Sequence, residues 1–314
     1  MTMMLHVNTP LWSSASFRSA AGHPVLFKMD ALQPSGSFKL RGIGKFCCHA
    51  VETGATAIIC ASGGNAGFAA AFAGRQLGVP VTIVVPTTTS AEARQAIQAL
   101  DAKVEVHGSV FDEAADYAQQ LAARMGAAYV HPFNHPLLWD GHATLIDEAV
   151  ESGAVFDCVV TSVGGGGLML GIVGGLRRNR LSHIPVIAVE TEGADSLNRS
   201  IAAGEIITLP AITSIATSLG ARRVVAEAFE VTKSHPITSV TVTDAQAVAA
   251  CVKFADNFRV LVEPACGAAI AVLDAHPELM AGFARPLIEV CGGIGVSLSR
   301  LSKWMAMFGE TDSR

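Results

Sequence analysis

The sequence predicts an α/β protein in which parallel sheets carry helices on both faces. Short β-branched runs alternate along the chain with segments that are rich in Ala and Leu and have a helical period. Such alternation is typical of βαβ units, whose strands pair in parallel. The chain has 314 residues, of which 50% are apolar and 16% charged, so it can bury a large core and is long enough for two domains.

The strands and helices can be assigned in order along the chain. The first three pairs of a strand and a helix are TAIICAS with NAGFAAAFAGRQLG, VTIVVP with SAEARQAIQAL, and KVEVHG with FDEAADYAQQLAARMG. Three further pairs are DCVVTSV with LMLGIVGGLRRNR, IPVIAVE with ADSLNRSIAAG, and PLIEVCGG with a last helix near Ser297 to Met307. The stretch HPFNHPLLWDGH, residues 131–142, interrupts the alternation. We expect the chain to cross there to a second sheet.

Composition argues against several classes of function. The net charge is −5, and no run of Lys and Arg is long enough to follow a nucleic-acid backbone, so nucleic acid is not an expected partner. The seven cysteines include one close pair, Cys47 and Cys48, which predicts neither a disulfide framework nor a zinc site and favours a reducing cytoplasm. We expect no export leader and no membrane anchor, because neither pattern is present.

Small polar residues stand where the first assigned strand ends. Ser62, Gly63, Gly64 and Asn65 lead from that strand into a helix. Ligands of parallel sheets bind beyond the carboxyl ends of strands, where helices begin. The backbone N–H groups of these residues can converge on an anion such as a substrate carboxylate. A tight turn capped by Asn or Ser is the alternative interpretation.

A run of four glycines, Gly164 to Gly167, follows another strand. Residues without a Cβ at the start of a helix can wrap their N–H groups around a phosphate, whose charge the helix dipole favours. A dinucleotide site is the alternative, and Glu190 stands where a ribose-binding acid is expected, ~20 residues further on. The GxGxxG pattern fails in both frames, however, because Met169 and Leu170 occupy the place of its third glycine.

Two further residues complete the pattern. Cys291 follows a third strand, in IEVCGGIGVS, although a lone cysteine is more often a buried apolar side chain than a ligand contact. Lys39 lies behind a Gly/Ser turn in QPSGSFKLRGIG, residues 33–44. A phosphate loop, an anion loop and a single lysine together indicate pyridoxal phosphate, whose aldehyde forms a Schiff base with an amine.

These segments resemble the serine/threonine dehydratase branch of the fold type II, or tryptophan-synthase-β-like, pyridoxal-phosphate enzymes, and most of all the catabolic L-serine dehydratases and serine-dehydratase-like proteins. The resemblance rests on PSGSFKLRG, SGGNAG, GGGGL, VEPACGAA and CGG, and it extends to VNTPLW, QLGVPVTIVVP, FNHPLLWDGHATL and SIATSLGA. It therefore covers nearly the whole chain. It implies two open, twisted, parallel-rich sheets flanked by helices. It also implies a large cofactor-binding domain of residues 1–38 and 137–314 and a small substrate-binding domain of residues 39–136.

The resemblance implies a role for each matching residue. Lys39 would hold the cofactor covalently and then remove the Cα proton of the substrate, and burial suits an amine that must lose its charge for that step. Phe38 would pack on the pyridine ring, Asn65 would hydrogen-bond its phenolic oxygen, and Cys291 would face its nitrogen. The cofactor phosphate would be held by Gly164, Gly165, Gly166, Gly167 and Leu168. The substrate carboxylate would be held by Ser62, Gly63, Gly64, Asn65 and Ala66.

The reaction that the resemblance implies is β-elimination, in which L-serine yields pyruvate and ammonia and L-threonine yields 2-oxobutanoate. A thiol at the ring nitrogen stabilises a protonated ring less than a carboxylate would, which favours prompt loss of the β-substituent over transamination. Two alternatives stay open: another fold type II lyase or racemase, and a weakly active protein that binds an amino acid or the cofactor. Many family members carry Ala where Gly63 stands, so the rate and the preference between serine and threonine also stay open.

Similar dehydratases hold a monovalent cation, usually potassium, near the phosphate loop with backbone oxygens and an acid. The residues that match these positions are Gly164, Glu190, Ala194, Ser196, Leu219 and Ala221. An oxygen-rich shell suits a hard cation, and a helix-capping or interface acid at Glu190 is the alternative. The family also leads us to expect a homodimer with two-fold symmetry.

Overall fold

The computed structural model of the protein describes residues 4–309. Its strands are β1 (Leu11–Trp12), β2 (Leu26–Lys28), β3 (Ile58–Ala61), β4 (Val81–Val85), β5 (Lys103–Val106), β6 (Ala128–Val130), β7 (Cys158–Ser162), β8 (Val186–Thr191), β9 (Ile237–Val242) and β10 (Pro286–Glu289). Its helices are α1 (Lys39–Glu52), α2 (Asn65–Leu77), α3 (Ala91–Gln98), α4 (Phe111–Met125), α5 (Pro136–Glu151), α6 (Gly167–Arg178), α7 (Ser196–Ala203), α8 (Ala226–Val231), α9 (Asp244–Phe258), α10 (Pro264–Ala275), α11 (Pro277–Met280) and α12 (Leu298–Gly309). The predicted α/β class is confirmed.

The described chain divides into two compact units. Unit 1 consists of the residues up to Val7 and Gln33–His142, and unit 2 consists of Asn8–Leu32 and the residues from Ala143 onward. The domain limits that the resemblance implied inside the chain, at residues 38/39 and 136/137, stay a prediction. Their outer limits, at residues 1 and 314, lie outside the described residues.

Unit 1 is built on a four-stranded parallel sheet with the order β5-β4-β3-β6. Alternate residues of β3 face opposite sides of this sheet. Ile58 and Cys60 pack in a core that includes side chains of α1 and α2, whereas Ile59 and Ala61 pack against α4. Both faces of the strand are buried, which is why its sequence is a continuous apolar run rather than an alternating one.

Unit 2 is built on a six-stranded sheet with the order β1-β2-β10-β7-β8-β9. Its strands pair in parallel, except that β1 runs antiparallel to β2 at the edge. The central strands β10, β7 and β8 are buried along their whole length. Because β10, β7 and β8 are neighbours, the loops that follow their carboxyl ends lie side by side. These loops carry Cys291, the glycine run and the segment after Glu190.

The chain crosses from the four-stranded to the six-stranded sheet between β6 and β7, as residues 131–142 predicted. The interruption is shorter than expected, because α5 begins at Pro136 and runs through the rest of that stretch. Proline is readily accepted in the first turn of a helix, where its missing N–H would have no partner. Within the described residues, no helix is both long and apolar enough to cross a membrane.

Candidate functional site

In unit 1, Lys39 is the first residue of α1. Its Nζ donates a hydrogen bond to the carbonyl oxygen of Pro132 at 2.8 Å, just beyond the carboxyl end of β6. The same Nζ lies 4.9 Å from the centre of the Phe38 ring. The amine therefore lies at a strand end, close to the Pro132 carbonyl oxygen and the Phe38 ring, rather than on a solvated helix face.

The loop between β3 and α2 carries the residues predicted to bind a carboxylate. Ser62 Oγ accepts a hydrogen bond from the Gly64 N–H at 3.3 Å, and Gly64, the residue before α2, makes no side-chain cap. The first N–H groups of a helix have no acceptor within the helix. The N–H groups at Asn65 and Ala66 can therefore serve a ligand. The predicted alternative, a helix capped by Asn or Ser, is not what the structure has, because Asn65 is already the first helical residue.

Two glycines beside this loop allow close packing within unit 1. A Cβ built on Gly67 would lie 1.9 Å from the carbonyl oxygen of Ser62, so α2 approaches the loop more closely than any side chain permits. A Cβ built on Gly63 would lie 2.6 Å from Cγ2 and 2.8 Å from Oγ1 of Thr89. Thr89 thus fills the space that an alanine methyl would need at residue 63.

In unit 2, the glycine run links β7 to α6 and packs tightly against its surroundings. Gly166 has φ +93°, and a Cβ there would lie 2.3 Å from Cβ of Ala228. A Cβ on Gly164 would lie 3.1 Å from Cα of Leu219. The loop precedes a helix that has no side-chain cap at its start. Backbone N–H groups, a helix N-terminus and the lack of side chains together fit a phosphate.

Cys291 lies two residues beyond β10 and is buried. Its Sγ lies 3.7 Å from Oγ of Ser162, the last residue of β7. A hydrogen bond with Cys266, together with burial, raises the pKa of the Cys291 thiol well above its usual range. Cys291 is therefore a neutral thiol at the strand ends of unit 2.

The loop after Cys291 is held by Glu263, the residue before α10. Its carboxylate accepts a hydrogen bond from the Gly295 N–H at 3.2 Å. Gly293 has φ +129°, and a Cβ there would lie 2.0 Å from the Glu263 carboxyl carbon. The bulk of Glu263 therefore requires glycine in this loop.

Glu190 lies near the end of β8, is fully buried and caps α7. Its two carboxylate oxygens accept hydrogen bonds from the N–H groups of Leu197 at 2.9 Å and Asn198 at 2.7 Å. Burial raises the pKa of Glu190 to about 8, although the two backbone hydrogen bonds oppose the shift. The structure thus shows Glu190 capping α7, which was the predicted alternative to a ribose contact and to a cation ligand.

The other residues predicted to hold a cation lie in two short segments of unit 2. Ala194 and Ser196 precede and begin α7, and Leu219 and Ala221 lie on the turn that approaches Gly164. Asp195 Oδ1 and Ser196 Oγ are buried and have no hydrogen-bond partner. Within the described residues, no group of three His, Cys, Asp or Glu side chains could hold a metal ion, so a cation here would have to be held mainly by backbone oxygens.

Several residues at these strand ends could not be found from the sequence. Each of them lies close to a predicted site residue that is distant in the sequence. Pro132 is 93 residues from Lys39 and Ser162 is 129 residues from Cys291. Thr89 lies beside Gly63. No local motif marks them. For Pro132 the sequence offers one signal, its place in the stretch 131–142 that interrupts the alternation, between His131 and the aromatic Phe133.

Comparisons with known proteins extend these observations. The chain matches the family described as pyridoxal-phosphate dependent enzyme over residues 2–292. A protein of Mus musculus named serine dehydratase-like is 44% identical over 313 residues, with 97% of this chain and 95% of the relative covered. The L-serine dehydratase/L-threonine deaminase of Homo sapiens is 44% identical over 322 residues, with 98% and 97% covered. Among solved structures, a fungal L-serine ammonia-lyase from Rhizomucor miehei matches with a TM-score of 0.91 and 33% identity, covering 98% of this chain and 100% of that one.

Proposed function

We propose that this chain, which belongs to the family of pyridoxal-phosphate dependent enzymes, is an L-serine dehydratase that also accepts L-threonine. The products are pyruvate and ammonia from L-serine, and 2-oxobutanoate and ammonia from L-threonine. The observation that carries the proposal is the full-length similarity to a human enzyme named for both activities. The residues at the strand ends of both units fit this chemistry.

The cofactor would contribute two chemical groups to the reaction, an aldehyde and an electron-withdrawing ring. When bound, pyridoxal phosphate supplies an aldehyde that bonds to amines and a ring that withdraws electrons from Cα of the bound amino acid. The glycine run of unit 2 fits its phosphate, because a side chain at Gly164 or Gly166 would clash with the neighbouring chain. We assign the phosphate to the N–H groups of Gly164, Gly165, Gly166, Gly167 and Leu168.

Lys39 has two tasks in this proposal. Its amine would hold the cofactor through the aldehyde carbon, and after the substrate amine has taken that place, the Lys39 amine would accept the proton from Cα of the substrate. The Pro132 carbonyl oxygen, 2.8 Å from Nζ, accepts a hydrogen bond from the amine and helps to hold it in place. Phe38 precedes Lys39 and supplies an aromatic face beside it.

We assign the substrate carboxylate to the loop Ser62–Ala66 at the start of α2. The N–H groups there point out of the helix, and the helix dipole favours a negative charge at this end. Asn65 is 9% exposed and is assigned to the phenolic oxygen of the cofactor. In this scheme the predicted small domain, residues 39–136, binds substrate, and the predicted large domain, residues 1–38 and 137–314, binds the cofactor phosphate.

Cys291 is assigned to the ring nitrogen. Because its raised pKa keeps the thiol neutral, Cys291 offers no negative charge that would stabilise a protonated ring. A ring that stays unprotonated would withdraw less of the negative charge that develops at Cα, which would favour loss of the β-hydroxyl over return of a proton to carbon. The hydroxyl would take up one proton to leave as water, which balances the proton that Lys39 accepts from Cα. This assignment favours elimination over transamination or racemisation.

We also propose that potassium binds near Gly164, Glu190, Ala194, Ser196, Leu219 and Ala221. The buried oxygens of Asp195 and Ser196 that have no hydrogen-bond partner support this assignment, because buried polar atoms are normally satisfied by a partner. The seven reduced and buried cysteines support a cytoplasmic location. We further propose a two-fold homodimer, the commonest symmetric assembly.

Borohydride trapping tests the cofactor assignment directly. The purified protein is mixed with pyridoxal phosphate, reduced with borohydride, digested and mapped by mass spectrometry. We expect the label on Lys39, and we expect Lys39→Ala to lose both the label and the yellow absorbance. Lys45→Ala is the matched control, because Lys45 lies on the same helix in an exposed ion pair with Asp140. A label on any other lysine of the wild type would refute the assignment.

A panel of amino acids tests the reaction class. Keto-acid release is measured from L-serine, L-threonine and their D-isomers, with potassium and with sodium as the alternative cation. We expect pyruvate from L-serine as the main product and a higher rate in potassium. A wild type that carries the label on Lys39 but interconverts serine enantiomers faster than it releases pyruvate would be a racemase instead.

A further inference from the structure

We propose that His131 is a positioning residue for Lys39: its imidazole folds the loop after β6 so that the Pro132 carbonyl is aimed at the amine. The inference rests on the proposed function, since it concerns the lysine that the proposal makes catalytic. All the atoms involved belong to unit 1. None of the roles implied by the resemblance includes this histidine.

The His131 ring acts as an acceptor for the loop that follows it. Nδ1 accepts hydrogen bonds from the N–H groups of Phe133 at 3.2 Å and Asn134 at 2.9 Å. A ring nitrogen that accepts carries no proton, so the proton of the neutral imidazole is on Nε2. Burial and the nearby charge of Lys39 lower the pKa of His131 to about 4, which keeps the ring neutral and keeps Nδ1 available at neutral pH.

These two hydrogen bonds determine the direction of the Pro132 carbonyl. Pro132 lies between His131, which accepts, and Phe133, which donates, and its ring fixes its own φ angle. The remaining freedom of the loop is reduced by Trp139, whose Nε1 donates to the carbonyl oxygen of Phe133 at 2.8 Å. The His131 and Phe133 rings also meet edge to face, with their centres 4.6 Å apart. The peptide that accepts from Lys39 is therefore held from both sides.

The consequence for Lys39 follows from its flexibility. A lysine amine sits on a four-carbon stem with several rotatable bonds, and the Pro132 carbonyl restricts it through the 2.8 Å hydrogen bond. A misplacement of a reacting group by ~1 Å can reduce a rate by about a hundredfold. Without His131 Nδ1 as an acceptor, the loop should become more mobile, and the amine of Lys39 should no longer be held in one position.

Two substitutions at residue 131 separate positioning from mere packing. In His131→Asn, Oδ1 stands at the same distance along the side chain as Nδ1 and can accept from the same two N–H groups. In His131→Leu, a side chain of similar size has no acceptor. The matched control is His135→Leu, because His135 Nδ1 accepts from the Leu137 N–H at 3.1 Å in the same segment, whereas the N–H groups of Phe133 and Asn134 donate to His131.

Three measurements are made on the full-length protein. They are the rate at which the apoprotein develops the yellow absorbance with pyridoxal phosphate, kcat and KM for L-serine, and the thermal midpoint of the apoprotein. We expect His131→Leu to slow both rates about tenfold or more while KM changes less than kcat, because the amine is misplaced. His131→Asn should restore most of the loss. His135→Leu should lower the thermal midpoint without changing either rate.

Opposite outcomes overturn the proposal. Normal rates in His131→Leu would show that the loop holds its position without the imidazole. Equal losses in His131→Asn and His131→Leu would show that the acceptor is not what matters. If the wild type itself forms no bond with the cofactor at Lys39, the proposed function fails before this inference is tested.

A measurement on the wild type covers the case in which His131→Leu does not fold. Nitrogen-15 NMR of the histidine rings, assigned by comparison with His131→Asn, reports which ring nitrogen carries the proton. We expect His131 to be protonated on Nε2 and not on Nδ1 at neutral pH. A proton on Nδ1 would contradict the two hydrogen bonds and overturn the proposal.

Discussion

At the scale of single residues, Gly63 and Thr89 form a matched pair beside the loop assigned to the substrate carboxylate. Thr89 occupies the space of a Cβ at residue 63. We expect Gly63→Ala to destabilise the protein by about 1–3 kcal/mol through overpacking and to raise KM for L-serine by displacing the loop. We therefore expect alanine, which the resemblance associates with this position, to fit in this chain only if Thr89 also changes.

The double variant Gly63→Ala/Thr89→Ala tests the pairing. Thr89→Ala removes Cγ2 and Oγ1 and leaves Cβ at 3.3 Å from the added methyl, a distance that small shifts can accommodate. Urea unfolding and KM for L-serine should therefore come closer to the wild type in the double variant than in Gly63→Ala. Additive losses in stability would contradict a direct contact between the two side chains.

Single residues also show what the sequence can and cannot predict. Lys39 could be singled out because its own neighbours, Gly, Ser and Phe, belong to a segment that resembles the lysine segment of fold type II pyridoxal-phosphate enzymes. Its partner Pro132 is 93 residues away, and nothing in the letters around either residue connects them. Contacts of this kind are set by strand order, because β6 pairs with β3 only in the folded sheet.

At the scale of elements, the start of α7 depends on a buried acid with an unusual titration. Burial raises the pKa of Glu190 from 4.5 to about 8, so the folded state holds its proton more tightly than the unfolded state. The resulting contribution to stability is complete below pH 4.5 and is lost as the pH rises toward 8. We expect the urea concentration at the unfolding midpoint to decrease as the pH is raised from 5 to 8, and to decrease more for the wild type than for Glu190→Gln.

Potassium gives this prediction a control. If the cation binds beside Glu190 as proposed, it favours the carboxylate, and potassium but not sodium should recover part of the lost stability at pH 8. The same salts should have no differential effect on Glu190→Gln. A wild-type midpoint with the same pH dependence as Glu190→Gln would show that the carboxyl does not titrate in this range.

The glycine run that precedes α6 provides a second test at this scale. Gly166→Ala would place a methyl 2.3 Å from Cβ of Ala228 at a residue with φ +93°. We expect a loss of stability of about 1–3 kcal/mol and weaker binding of pyridoxal phosphate. Gly174→Ala is the control, because Gly174 lies on α6 with open space around it and alanine there should be neutral or favourable by about 1 kcal/mol. Equal effects of the two substitutions would refute the close packing of the loop.

The elements differ in how well the sequence predicts them. β3, β4, β7, β8 and β10 were recognisable because strands buried on both faces are continuous apolar runs. β6 escaped because its three residues are too few to show a period. Helix α5 escaped because Pro, His and Trp at its start resemble a loop, although it buries Leu138 in the core of unit 1. β6 and α5 flank His131 and Pro132, and the carbonyl oxygen of Pro132 accepts the hydrogen bond from Lys39.

At the scale of the whole molecule, every cysteine is reduced and buried. The most exposed of the seven is Cys291, at 4%. Burial raises the thiol pKa of most of them, and a hydrogen bond with Cys266 is the larger cause at Cys291. Thiolate is the form that attacks a disulfide reagent, so both the access and the reactive form are suppressed throughout the molecule.

Thiol titration with an aromatic disulfide reagent tests this property. Each cysteine that reacts displaces one equivalent of aromatic thiolate from the reagent. We expect almost no displacement within seconds from the native protein at pH 7, and seven equivalents from the denatured protein. The rate of slow reaction in the native protein should follow its unfolding, because the thiols become accessible only through opening of the cores. Cys291 gives the sharpest check. If Cys291→Ala removes a fast-reacting thiol from the native protein, then the strand ends of unit 2 admit solvent and the thiol assigned to the ring nitrogen is not the buried, neutral group described here.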